Sequence, residues 1–168
     1  KAKQAIEWYQ KAIRGEHLEN QTIAIRELAE LYREGDGIPR NDRKAARLFR
    51  RLADMGDPEA HYELGVLLSE TSALTKDSVK AYAHFSMAQT LMTIKDTEEK
   101  LDSLAKTMTS KEISRGQSEA NDMWSKLDAA GGWKLEHFWF QKTFDLPVGG
   151  PYSSTAYVFL IPKEVVCP

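Results

Sequence analysis

Residues 32–45 read "YREGDGIPRNDRKA", and this stretch decides the fold. Two glycines one residue apart, then a proline, separate two segments that are each amphipathic at helical spacing. On the N-terminal side Ala24, Leu28, Leu31 and Tyr32 recur at i, i+4, i+7 and i+8, one apolar stripe of a helix. Gly35 stands where a left-handed residue ends such a helix, and Gly37 lets the chain reverse. Ile38 supplies an apolar plug, and Pro39 prevents the first helix from continuing. Asn41 is a good N-cap for the helix that follows. A phosphate-binding reading of the glycine pair fails, because the third glycine, the preceding strand and the lysine of such loops are missing.

The same arrangement returns 36 residues later. Residues 24–55 match residues 60–91 at eight of 32 positions, where roughly two follow from average residue usage. Identities include Ala24/Ala60, Leu28/Leu64, Leu31/Leu67, Lys44/Lys80, Ala45/Ala81 and Phe49/Phe85, while Asn41 becomes Asp77, another N-cap. A partial copy precedes both, since "AIEWYQKAI" from Ala5 aligns with "AARLFRRLA" from Ala45 at an offset of 40. Each unit therefore reads as two helices. Gly56 closes the second helix of one unit; Asp57 caps the next, with Pro58 at its first position. The second unit has Thr71 and Ala73 in place of the turn glycines, which predicts a differently shaped turn.

"AIRELAELYREGDGIPRNDRKAARLFRRLADMG" resembles the Sel-1-like repeat, a relative of the tetratricopeptide repeat. Ala24, Leu28, Tyr32, Gly35, Gly37, Lys44, Ala45, Ala53 and Gly56 match its pattern as they stand. The resemblance implies an all-α fold: a right-handed superhelix of antiparallel helix hairpins. The expected organisation is a solenoid over 1–130, with a partial unit at 1–20, full units at 24–59 and 60–91, and a divergent capping helix pair at 92–130. "TSKE" at 109–112 is a capping box that opens the last of these helices.

Residues 131–168 differ in character, holding eight of the chain's 16 aromatic residues. Two readings stand for this extension. It packs on the terminal helices as a cap, or it meets a partner through Trp133, Trp139, Tyr152 and Tyr157.

Composition narrows the function. The chain has 168 residues, 42% hydrophobic and 29% charged, with a formal net charge of -2. No global basic field exists to hold nucleic acid or an anionic membrane. The longest apolar run, Ala156–Ile161, is too short for a transmembrane segment. Cys167 is the sole cysteine, no His/Cys spacing suits a metal, and no catalytic motif is present. No cofactor, metal or catalytic residue is therefore expected. His84 falls where the repeat pattern has tryptophan, so it reads as a packed residue; His61, beside an N-cap turn, is expected at the surface.

The resemblance implies binding of a protein or peptide in a groove lined by the first helix of each unit. On that basis Arg26, Glu30 and Arg33, with their counterparts Tyr62, Val66 and Ser69, form the candidate face. Arg26 and Glu30 are also spaced for a pair within one helix. The second helix carries Arg43, Arg47, Arg50 and Arg51, an outer stripe suited to water or to an acidic partner. Similar proteins are adaptors, and some are bacterial immunity proteins that neutralise secreted toxins such as type VI phospholipase effectors. The first residue is not methionine, so a trimmed or processed N-terminus and a periplasmic location are the expectations.

Overall fold

The computed structural model describes residues 2–15, 17–70, 76–92, 94 and 96–129, with the backbone of 133–134 and 161–162. Seven helices form among them: α1 (Ala2–Ile13), α2 (Leu18–Glu34), α3 (Asp42–Ala53), α4 (Pro58–Glu70), α5 (Ser78–Leu91), α6 (Thr97–Ala105) and α7 (Ser110–Ala129). Consecutive helices from α1 to α6 pack on one another in chain order, so the fold is an all-α solenoid. No helix among the described residues is long and apolar enough to cross a membrane.

The opening stretch folds as its residue types require. Gly35 is left-handed at φ 77° and donates its N–H to Leu31 O at 3.0 Å. A Cβ there would lie 2.9 Å from Arg40 N, so glycine is needed for both conformation and space. Asn41 N–H then donates back to Tyr32 O at 2.7 Å, and Asn41 Oδ1 accepts from Lys44 N–H at 3.0 Å. One repeat on, Asp77 N–H donates to Leu68 O at 3.2 Å and Asp77 Oδ1 accepts from Lys80 N–H at 3.0 Å. The two turns share their anchoring bonds although the second has no glycines. Residues 71–75 between those anchors, including Thr71 and Ala73, lie outside the described residues.

Among the described residues three apolar clusters hold the helices together. Ile25, Leu28, Phe49, Leu52 and Leu64 fill the first, across α2, α3 and α4. Leu68, Ala81, Phe85 and Leu101 join α4, α5 and α6. Met87, Leu91, Ala120 and Leu127 join α5 to α7. Within 92–130, Thr109 N–H donates to Glu112 Oε2 at 2.8 Å, which is the capping box at the head of α7. That helix packs chiefly along α5 rather than along α6. Gly116 permits it, since a Cβ there would meet Tyr82 at 2.8 Å.

The backbone of 133–134 pairs antiparallel with 161–162, Trp133 opposite Pro162 and Lys134 opposite Ile161. The rest of the aromatic extension, including Trp139, Tyr152, Tyr157 and the Trp133 side chain, lies outside the described residues.

Candidate functional site

Helices α2 and α4, the first helices of successive repeats, carry the six residues expected on the candidate face, and α6 follows α5 in chain order. All six residues expected there are half-buried: Arg26, Glu30 and Arg33 on α2, and Tyr62, Val66 and Ser69 on α4. They are neither core nor freely solvated.

Their partners differ from a pairing within one helix. Arg26 forms ion pairs with Asp57 and with Glu59, the latter at 2.5 Å, and no ion pair with Glu30. Asp57 is also the N-cap of α4, accepting from Ala60 N–H at 2.9 Å. Arg33 reaches Glu63 on α4 at 3.3 Å and Glu34 at 3.3 Å. The α2 arginines thus brace one unit against the next. Burial raises the Glu63 carboxyl pKa; Arg33 opposes this, while Glu30, Glu34 and Glu59 add to it. The Glu30 pKa is raised too, by burial and then by Glu27, with Arg26 and Arg33 opposing.

Towards α6 the face becomes apolar. Tyr62 stacks edge-on against Phe85, with centroids 5.7 Å apart. Val66, Tyr62 and Leu104 each pack against the apolar cluster that includes Leu101 of α6, and Lys100 pairs with Glu70 across the same junction. Ser69 Oγ donates to Val66 O at 3.1 Å, a bond within its own helix. These residues therefore pass from ion pairs between α2 and α4 to aromatic and aliphatic packing beside α6.

His61 corrects the sequence expectation. It is buried, at 2% exposure, and so is His84 at 7%. His61 Nε2–H donates to Ala53 O at 3.2 Å, which leaves its Nδ1 to accept from His84 Nδ1–H at 3.0 Å. The register carried the missed signal: 36 residues earlier Ile25 occupies the equivalent site, which marks position 61 as core. Burial holds the His61 pKa down to about 4, against opposing contributions from the Ala53 carbonyl and Asp57. Burial, then His61, Arg50 and Lys80, hold His84 down to about 3. Both imidazoles are neutral and mutually bonded at neutral pH. No group of three or more metal-ligating side chains occurs among the described residues.

The Sel1 repeat matches residues 2–17, 22–57 and 58–88. The chain belongs to the Sel1 repeat family. The crystal structure of a protective antigen present in uropathogenic Escherichia coli strains, displaying an SLR fold, superposes with a TM-score of 0.65 at 25% identity. That likeness covers 76% of this chain but 27% of the antigen's chain, so this chain spans about a quarter of that neighbour's length. No curated protein matches in sequence. Sel1-repeat proteins are typically protein–protein interaction scaffolds, and the fold of this chain is of that kind.

Proposed function

We propose that this Sel1-repeat chain is a non-enzymatic module that holds a protein or peptide client on the face made by α2, α4 and α6. The supporting observation is the uniform half-burial of Arg26, Glu30, Arg33, Tyr62, Val66 and Ser69 on consecutive first helices. Ion pairs to Asp57, Glu59 and Glu63 fix the arginines in advance, so a client meets ordered charges at low entropic cost. Tyr62 and Val66 add apolar area beside them. The immunity-protein reading draws its distinguishing support from the aromatic extension, most of which lies outside the described residues.

The test isolates a client by cross-linking in the native organism and titrates it calorimetrically. Glu30→Arg and Ser69→Arg place bulk and charge on the face without removing a core residue. Both are expected to weaken binding by about tenfold or more, as for central interface positions. Unchanged affinity in variants that keep their melting temperature would reject this face.

A further inference from the structure

Two clefts open on the side of the second helices, α1, α3, α5 and α7, and they are one place seen twice. The first, about 540 Å³, lies between α1 and α3 over α2. The second, about 750 Å³, lies between α3 and α5 over α4. Their lining residues correspond by the repeat offsets: Tyr32 to Leu68, Lys44 to Lys80 and Leu48 to His84 at 36 residues. Gln10 to Arg50, Ile13 to Ala53 and Arg14 to Asp54 follow at 40.

What covers them differs. Against the second cleft lies α7, contributing Glu119, Met123, Lys126 and Leu127 to its lining. Met123 and Leu127, one helical turn apart, belong with the α5–α7 apolar cluster. Glu119 lies near enough to Lys80 to favour its charged form. Thus the chain shows its own amphipathic helix laid over this kind of cleft, apolar residues inward and a carboxylate toward the lysine. No residue of α5, which stands to the first cleft as α7 stands to the second, lines the first cleft.

The first cleft is also more uniform in charge. Its floor is Ile13, Leu28, Tyr32 and Leu48, and its charged lining residues are Arg14, Lys44 and Arg47, all cationic. Lys44 Nζ sits 4.8 Å from the Tyr32 ring centroid, and Arg14 Nε–H donates to Gln10 O at 3.1 Å. None of the three is in an ion pair among the described residues. The second cleft, by contrast, sets Asp54, Asp77 and Glu119 among its cations.

We propose that the α1–α3 cleft docks an acidic amphipathic helix of a partner protein. Two apolar side chains one turn apart seat on Ile13, Leu28, Tyr32 and Leu48, and flanking carboxylates meet Arg14, Lys44 and Arg47. This surface is separate from the α2–α4–α6 face, so either assignment stands without the other.

The probe is a fluorescein-labelled peptide of residues 110–129 in which Lys111, Arg115 and Lys126 are replaced by glutamate, titrated with the full chain by anisotropy. Saturable binding that weakens with added salt is expected. Arg47→Glu should weaken it at least about tenfold and Arg47→Gln less in the same direction, as for a charge pair at an interface. Lys80→Glu, in the second cleft, should leave it unchanged. Four results overturn the proposal: no saturable binding, equal binding of the unsubstituted 110–129 peptide, Lys80→Glu acting as strongly as Arg47→Glu, or competition by a single-stranded DNA of equal charge. The last would show a surface that takes any polyanion.

Discussion

The Nδ1 atoms of His61 and His84 lie 3.0 Å apart in the interior, at the two positions that Ile25 and Leu48 occupy one repeat earlier. A hydrogen-bonded imidazole pair has replaced aliphatic side chains at an equivalent station of the solenoid. Both histidines are held neutral, with pKa values of about 4 and about 3. In the unfolded chain each returns to roughly 6.5. The unfolded state therefore binds more protons below that value, and stability falls as pH drops from about 6.5 towards 4. Integrated over both groups, the loss between pH 7 and 5 is on the order of 4 kcal/mol. Urea unfolding at a series of pH values reads it directly. His61→Ile with His84→Leu, which restores the residues of the preceding unit, should flatten the slope; an unchanged slope would place the titration elsewhere.

Arg33 is expected to matter for stability before it matters for any client. Its removal leaves the Glu63 carboxylate, on the buried side of the α2–α4 junction, facing Glu30, Glu34 and Glu59. Arg33→Ala should cost about 1–2 kcal/mol at neutral pH, discounted for the partial exposure of the pair. The folded-state pKa of Glu63 is already raised, so lowering the pH protonates it and relieves the repulsion. The cost of Arg33→Ala should therefore shrink towards pH 5. A cost that grows on acidification would contradict this electrostatic account.

Asn41 offers a cleaner local test. Its side chain accepts from Lys44 N–H at the start of α3, and little else depends on it. Asn41→Ala should lower stability by about 1 kcal/mol, while Asn41→Asp should be nearly neutral. Asp77 already performs the same role one repeat later. No loss in Asn41→Ala, measured by thermal unfolding, would mean that the backbone bond to Tyr32 O carries the turn instead.

What was legible in the chain was whatever depended on near neighbours. Gly35, Asn41, Asp57 and the Thr109–Glu112 box act within a few residues, so their types announced the helix ends. The repeat register announced the stacking. Side-chain partners between units were not legible: Arg26 has Glu30 at helical spacing, yet pairs with Asp57 and Glu59 once α4 is docked. The burial of His61 was encoded by register with Ile25, although its residue type pointed to the surface. The lie of α7 along α5 depends on a close approach at Gly116 that periodicity alone does not specify.

Gly65 sets two effects of opposite sign against each other. It sits inside α4, where alanine would be favoured by about 1 kcal/mol on helix propensity. A Cβ there, however, would lie 2.7 Å from the Phe85 ring carbons, with Phe85 itself 1% exposed and held among Leu68, Ala81 and Leu101. The ring has no free side to retreat to, so α4 and α5 must separate. Overpacking of this kind costs about 1–3 kcal/mol, and the net effect of Gly65→Ala is expected to be destabilising. One repeat earlier the residues equivalent by register are Ala29 and Phe49, and both lie in the first apolar cluster. Phe85→Leu in the Gly65→Ala background should recover part of the loss, a coupling readable in a double-mutant cycle. Stabilisation by Gly65→Ala alone would show that the α4–α5 contact is looser than this packing implies.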